Sequence, residues 1–532
     1  MSAVVLLAAC SSDKGSSSTQ PAGATTTSGG TGSTPAGDGE MSDKPLVIAR
    51  SMDVNSLDPQ RAYCDTCQIF MTAVYETLIG LDQDNKTLIP RLATKWSAND
   101  DLTEYTFDLD PNAKFADGTQ VTSADVKFSW ERLQGLKASS SYLVSLIKSI
   151  DASDPAVVKV TLSQSNSAFL AQVNAPYLGI VNSKAAQAQG ATTDPATDKA
   201  ESWFLSNSAG SGAFELESYT EGSELRFKAN PNYWGANKPK FPEVIVKQTE
   251  TAVTQRQQLE QGAVDIAMQI SADTASGMSG GDVVVQPVPS FNFVYMALSP
   301  GADGGADLTP DVRQAIRDAL DYQHLVEVTV GGEGRAQPSP IPNGFAGTDG
   351  LAAPAQNLDE AKRLLAGKTY TFDATYPSIN VYGVDFSTAM QEIQTELKAV
   401  GITLNLNPIE ISVWVDKISS DGIPVTMLYF APDHTDSSQY VQYFGMVTDS
   451  QWSTWGRVPV DQSQEDLLSK AFSTADESAR ADIYHQLAEK MIADDVIIPI
   501  VNPNLFLASR SDIHGMHYSA CCNLDLATLS RG

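Results

Sequence analysis

The chain has 532 residues, with 35 Lys and Arg against 64 Asp and Glu and a formal net charge of −29 at pH 7. At roughly 100–200 residues per unit this length predicts about three to five structural units, and so negative a field repels phosphate backbones and excludes a nucleic-acid partner. Apolar residues at 42% and charged residues at 19% describe a globular chain, five cysteines are too few for a disulfide framework, and past the first residues no run reaches the ~18 apolar residues of a membrane span.

The N-terminus reads MSAVVLLAAC. Positions 4–9 are apolar, and Leu7-Ala8-Ala9-Cys10 resembles a bacterial lipobox. Residues 1–9 are therefore expected to be a signal-peptide remnant lacking its basic start, and Cys10 the lipidation site. A buried apolar strand is a poor alternative, because a polar tail follows at once. Residues 10–45 form a linker. Positions 11–40 are so rich in Ser, Thr, Gly and Ala that burial cannot offset their ordering entropy. Anchor, tether and acidic body together predict a protein held at the outer face of the bacterial cytoplasmic membrane.

Val47, Ile48, Met52 and Leu57 open the folded part as a strand and loop. Residues 105–109 and 157–162 alternate as strands, with a turn at Lys114-Phe115-Ala116-Asp117-Gly118 between them. Residues 225–228 precede the turn Asn230-Pro231-Asn232, and 244–246 and 283–285 read as buried strands. From about residue 305, helices alternate with strands. Thr309-Pro310 starts a helix whose stripe is Val312, Ala315, Ile316, Ala319 and Leu320, and Gly331-Gly332 ends it. Asn357 with Glu360 resembles a capping box. Met390, Ile393, Leu397 and Val400 form a further helix, stopped by Gly401 before a strand at Ile402, Leu404 and Leu406. A helix around Trp414, a strand at 425–430, a helix through Ile483, Leu487 and Met491, and a strand at 496–501 complete an α/β lobe.

Several segments coincide with one family. They include Ser56-Leu57-Asp58-Pro59, Tyr75-Glu76-Thr77-Leu78, and Pro90-Arg91-Leu92-Ala93-Thr94-Lys95-Trp96 followed by Tyr105-Thr106-Phe107. The most diagnostic stretch runs from Lys114-Phe115-Ala116-Asp117-Gly118 to Val121-Thr122-Ser123-Ala124-Asp125-Val126. Gly210-Ser211-Gly212-Ala213-Phe214 follows, with Ala213 where Pro is usual, then Asn230-Pro231-Asn232-Tyr233-Trp234 and Gly262-Ala263-Val264-Asp265. In this order, from about 46 to 505, the chain resembles the peptide-type (cluster C, family 5) solute-binding proteins of bacterial ABC importers, the dipeptide, oligopeptide and nickel group.

The resemblance implies an α/β, two-lobed periplasmic-binding-protein-like clamshell of type II. Lobe I would span 46–290 with an inserted subdomain at about 82–200, lobe II 291–497, and residues 498–532 would return to lobe I. The chain would cross between lobes near Pro289 and Pro499. The implied function is capture of a small ligand, a peptide or other amine-bearing compound, by hinge closure and delivery to the transmembrane permease. The protein would be a monomer on the cell surface, extracellular or periplasmic, with no catalysis, no cofactor and no metal.

Asp433 is the leading ligand contact, in Tyr429-Phe430-Ala431-Pro432-Asp433-His434-Thr435-Asp436 after a strand of an α/β lobe, where loops line the usual cleft. In peptide-binding relatives an aspartate of this loop pairs with the ligand α-ammonium, and Asp433 falls on that position. An aspartate that only stabilises its own turn is the alternative. Asp436 takes the second acidic position, although Ser437 replaces the usual Pro. Of Tyr429 and Phe430 only one can face the cleft, and Phe430 is preferred. Trp414 and Trp455 are further lobe II candidates, with core packing as their alternative. Asn292, Tyr295 and Asn502 follow the crossovers. Gly210 to Gly212 would admit backbone close to ligand or form a plain turn. Arg335 and Arg457 are possible carboxylate partners or surface residues.

Cys64-x2-Cys67 and Cys521-Cys522 both fall in the implied lobe I. An exported location favours disulfides, and cross-pairing of Cys64 and Cys67 with Cys521 and Cys522 is expected over a strained bridge between adjacent cysteines. The rival is a zinc site with His514 and His517. A secreted hydrolase is a further alternative, since Gly277-Met278-Ser279-Gly280-Gly281 matches G-x-S-x-G. The motif needs a strand-to-helix turn, however, and here it lies in a loop before a strand. The same clamshell could instead sense its ligand, or bind a sugar, metal chelate or plant-derived compound.

Overall fold

A computed structural model describes residues 40–278, 281–520 and 523–532. The proposed signal remnant, Cys10, the linker up to residue 39, Ser279 of the G-x-S-x-G match, and Cys521 and Cys522 lie outside the described residues. Among the described residues no helix is long and apolar enough to cross a membrane.

The strand Ile497–Arg510 organises the fold. Its first part pairs antiparallel with Phe293–Leu298, from Ala297↔Ile497 to Val294↔Val501. Its second part pairs with Val283–Pro289, from Pro289↔Asn504 to Val283↔Arg510, and with Ile266–Ala267. Lobe II is built outward from the first half through Val425–Phe430, Tyr370–Pro377 and Ile402–Ile409. Lobe I is built from the second half through Ile266–Ala267, Leu46–Arg50, Glu243–Gln248, Glu224–Ala229 and Phe214–Thr220. The two lobes are thus one sheet path joined by two crossing segments, at 290–292 and at 502–503.

Proline marks the crossings, since it has no N–H to give a ladder. Pro287 and Pro289 lead into the first segment, Pro499 precedes the second, and Pro503 lies on it. The second crossing falls beyond Pro499, because Pro499 still pairs with Tyr295 of lobe II. Side chains replace the missing bonds. Asn502 Nδ2 donates to the carbonyls of Ser290 (3.0 Å) and Asn292 (2.6 Å), and its Oδ1 accepts from Arg335 Nε at 2.5 Å. Ser290 Oγ donates to Pro503 O at 2.8 Å.

A separate four-stranded sheet of Ala93–Ala98, Glu104–Leu109, Val157–Leu162 and Ile147–Asp151 carries the helix Ser123–Leu136. Its own core includes Phe107, Trp130 and Phe169. The helix begins with a capping box, Thr122 with Asp125. Arg132 on this helix ties the layer to lobe I: its guanidinium donates to Asp58 Oδ1 (2.7 Å) and Oδ2 (2.5 Å) and to Asp198 Oδ2 (2.8 Å). All three side chains are fully buried. Asp58 thus has a structural reason to follow Leu57 in the chain.

Three sequence expectations change. The helix expected to run from Pro310 to Gly331 is two helices, Pro310–Ala319 and Tyr322–Val330. Leu320 turns extended, and Asp321 caps the second helix by accepting from His324 N at 3.1 Å. The strand Val283–Pro289 is not buried; Val284 is 49% exposed. The strand expected at 496–501 runs on to Arg510 and is 14 residues long, since it serves both lobes.

Removing one partner of a buried ion network strands the other charges. Arg132→Met should therefore lower stability by about 3–5 kcal/mol, read from urea unfolding. A loss below about 1 kcal/mol would show that the network is not buried as described.

Candidate functional site

Strand Val425–Phe430 ends between the lobes, and the following loop is held by the helix Ser438–Phe444. Gln439 Oε1 accepts from Asp433 N at 2.8 Å, and Gln439 Nε2 donates to the carbonyls of His434 and Asp436. Asp436 accepts from Ser438 N (2.9 Å) and Tyr484 OH (2.7 Å), with Arg480 at 3.7 Å. These bonds brace the loop from inside lobe II and leave the Asp433 side chain pointing out of it.

Asp433 meets the rest of the molecule through one oxygen. Its Oδ2 accepts from Tyr63 OH at 2.8 Å and from Tyr142 OH at 2.6 Å. Tyr63 precedes the first helix of lobe I, and Tyr142 belongs to the short 3-10 helix Ser139–Val144 of the separate layer. Lobe II, lobe I and the added layer therefore converge on a single carboxylate. Both donors are neutral hydroxyls, and Asp433 is 5% exposed. Burial outweighs the two hydrogen bonds and pushes the Asp433 carboxyl up to about 6. Burial also holds the neighbouring His434 down at about 4.

A second contact crosses the lobes. Asp65 opens the helix Asp65–Val74, and its Oδ2 accepts from Tyr382 OH at 3.3 Å. Asp53 braces the turn, accepting from Asp65 N (2.9 Å) and Thr66 N (2.9 Å). Burial first, then the Asp53 charge, raise the Asp65 carboxyl to about 6. Further out, Ser167 of the added layer bonds lobe II, from its N to Phe472 O and from its Oγ to Ala471 O, both at 2.9 Å. Aromatic rings fill the space between: Tyr63 packs on Tyr177 at 5.0 Å, and Tyr382 stands edge-on to Tyr429 at 5.6 Å.

The other expected site residues divide into groups. Phe430 packs with Phe293, Tyr440, Tyr443 and Phe444 in the aromatic core of lobe II. Tyr429, on the other face of the strand, is the one that feels the lobe I acids Asp65 and Asp53. Trp414 is 2% exposed, and its indole N–H donates to Thr426 Oγ1 at 2.9 Å. Tyr295 is fully buried against Phe444 and Trp452. Trp455 packs on Trp414 and Trp452 and meets Tyr443 at 6.5 Å. Asn292 and Asn502 belong to the crossing segments, Arg335 donates to them at Asn502 Oδ1 and Ser290 O, and Asp436 is occupied within lobe II. Arg457 donates to the carbonyls of Asp421 and Ser420 and lines an open groove on lobe II. The Gly210–Gly212 turn presses on its own lobe rather than on a cleft: a Cβ at Gly210 would stand 1.9 Å from Val74 O.

The cysteine pairing differs from the expected one. Cys64 and Cys67 are bonded to each other, with Cα atoms 4.9 Å apart. One turn at the start of a helix brings the two positions of C-x2-C within bridging reach, so no distant partner is needed. Joined sulfurs also offer no thiolate pair to a metal with His514 and His517. Tyr63, Tyr142, Asp65 and Tyr382 were not singled out in the sequence. The one local signal was a tyrosine and an acid flanking the first cysteine.

With this geometry in view, relatives are informative. Residues 87–452 match the model of bacterial extracellular solute-binding proteins, family 5. The probable D,D-dipeptide-binding periplasmic protein DdpA of Escherichia coli (strain K12) is 30% identical over 485 residues, 89% of this chain and 91% of its own. The dipeptide-binding protein DppE of Bacillus subtilis (strain 168) is 23% identical over 89% of both chains. Among solved structures, the dipeptide binding protein from Pseudoalteromonas sp. SM9913 in complex with Met-Leu superposes with a TM-score of 0.80 at 20% identity, covering 92% of this chain and all of its own. NikA from Brucella suis in complex with Fe(III)-EDTA gives 0.77 at 20% identity, covering 92% and 100%. The fold is thus that of the two-lobed periplasmic binding proteins. The chain belongs to family 5 of the bacterial extracellular solute-binding proteins, the receptors of ABC importers.

Two outcomes follow from the site. A raised folded-state carboxyl keeps its proton where the unfolded chain has lost it, so Asp433 lowers stability as pH rises from about 4 to about 6 and keeps it lowered above. Asp433→Asn should therefore gain stability relative to the parent protein between pH about 4 and about 7, by urea unfolding; a constant difference would contradict the burial. Without reductant, Cys64 and Cys67 should resist alkylation, read by peptide mapping; labelling of both would contradict the bridge.

Proposed function

We propose that this protein is the lipid-anchored, monomeric receptor of an ABC importer, that its ligand is a peptide or another small amine, and that it performs no catalysis. The observation carrying this reading is Asp433, a buried carboxylate at the junction of three parts of the molecule whose donors are all neutral hydroxyls. An ammonium brought to its oxygens gives charge-assisted hydrogen bonds and offsets the burial of the charge. Because the carboxylate belongs to lobe II and its tyrosines to lobe I and the added layer, a ligand seated there touches both sides of the hinge. Such a ligand favours the closed form through contacts the open form lacks. The peptide names of DdpA and DppE support the same ligand class. Cys10 would carry the lipid and the Ser/Thr/Gly-rich segment would tether the body to the membrane. The closed pair of lobes would then be presented to the permease.

Calorimetric titration of short peptides tests this. Removing either member of a buried charge pair costs at least about 2 kcal/mol, or about 30-fold in Kd. N-acetylation of a binding peptide, or Asp433→Asn, should each weaken binding by that factor. Affinity should also fall as pH drops below about 6, where the free carboxyl takes up its proton. Equal affinity for blocked and free termini would overturn the ammonium role.

A further inference from the structure

The space around Asp433 holds a second acid, and nothing in the role of Asp433 uses it. Tyr63, Asp65, Tyr142, Tyr382, Tyr429 and Tyr443 all keep accessible surface. Yet burial is the leading influence on every one of them. They meet where the two lobes and the added layer face one another, Tyr63 and Tyr142 on Asp433, and Tyr382 both on Asp65 and edge-on to Tyr429 at 5.6 Å. The two carboxylates come from opposite lobes, and Tyr63, whose hydroxyl donates to Asp433, lies only two positions before Asp65 in the chain.

The region between the lobes contains little to balance them. Asp433 uses only Oδ2, and among the described residues no donor reaches its Oδ1. Asp65 has a single side-chain donor, Tyr382 OH, at 3.3 Å. Arg50 is the cation that acts on Asp65, and it is engaged elsewhere, with Nη2 4.0 Å from Asp53 Oδ1 and Nε on Ser51 O at 3.4 Å. Arg480 is directed to Asp436 and to Ser167 O. Among the described residues neither carboxylate receives a hydrogen bond from a lysine or an arginine. A ligand carboxylate placed beside Asp65 would meet a like charge with little water to screen it, whereas a second cation would meet its counter-charge.

We propose that Asp65 is a second cation subsite, so that the ligand carries two positive groups, one ammonium at Asp433 and an ammonium or guanidinium at Asp65. A short peptide with a lysine or arginine side chain and an α,ω-diamine share this chemistry. The inference rests on the reading of Asp433 as an ammonium site and specifies the ligand class for it. Asp65 thereby sets specificity from lobe I, and Asp433 from lobe II.

Two matched comparisons test it by calorimetry on the purified protein: Ala-Lys-Ala against Ala-norleucine-Ala, and α,ω-diaminoalkanes against the corresponding monoamines. The dication of at least one pair should bind about tenfold tighter or better, a difference of about 1.4 kcal/mol. The first pair points to a peptide source and the second to a free diamine. Asp65→Asn should reduce that preference to about twofold or less by weakening the dication far more than the monocation. Asp65→Glu, which keeps the charge, should retain the preference. The inference is overturned if both members of each pair bind alike, if no dicationic probe binds, or if Asp65→Asn weakens mono- and dications equally, as a purely structural aspartate would. Binding of neutral peptides that still depends on a free N-terminus, without preference for a second charge, would sink the Asp65 subsite and spare Asp433. Loss of dependence on the free N-terminus would sink the Asp433 reading instead.

Discussion

One carboxylate oxygen, Oδ2 of Asp433, receives hydroxyls from two other parts of the molecule, and closure of the lobes is inseparable from that contact. The two bonds are to an ionisable acceptor, a type worth about 1.5–3 kcal/mol each. Against them stands the burial of a charge with no cation, an effective penalty of several kcal/mol. The terms are of similar size, so the closed form without ligand is close to balance. In the proposed reading, a cation arriving with the ligand would remove the unfavourable term and keep much of the favourable one. Differential affinity for the closed form, which is what any ligand-driven closure requires, then follows from the site itself.

The hinge makes this balance usable. Lobe motion needs only two short segments to adjust, at 290–292 and 502–503. Prolines at and beside these segments limit pairing between the two crossings, and Asn502 joins them through its side chain instead. The added layer takes part because Arg132 fixes it to lobe I through Asp58 and Asp198. Tyr142 consequently approaches Asp433 together with Tyr63 rather than independently.

Much of the fold was legible in local patterns. The N-cap at Asn357, the strand Val425–Phe430 and the glycine stop at Gly401 are set by neighbours within a few residues, although Glu360 turns to Arg363 rather than completing a capping box. The break at Leu320 was hidden because the apolar stripe continues across it, and only the capping by Asp321 reveals it. Asp433 could be singled out because it follows a strand in a recognisable loop. Its partners could not. Tyr63, Tyr142, Asp65 and Tyr382 lie up to 370 positions away from the groups they touch, and a tyrosine in a loop carries no mark of which surface it will face. Phe430 shows the converse: strand alternation allowed one of two residues to face the cleft, and the aromatic core formed by distant helices took Phe430.

Small-angle X-ray scattering, with and without a peptide established as a ligand by calorimetry, tests the central claim most directly. The parent protein should show a smaller radius of gyration on saturation. In Asp433→Asn the contraction should be much smaller at a peptide concentration about ten times the parent's Kd, where a roughly 30-fold loss leaves about a quarter of the variant bound. Identical profiles with and without bound peptide in the parent protein, or full contraction in the variant at that concentration, would contradict it.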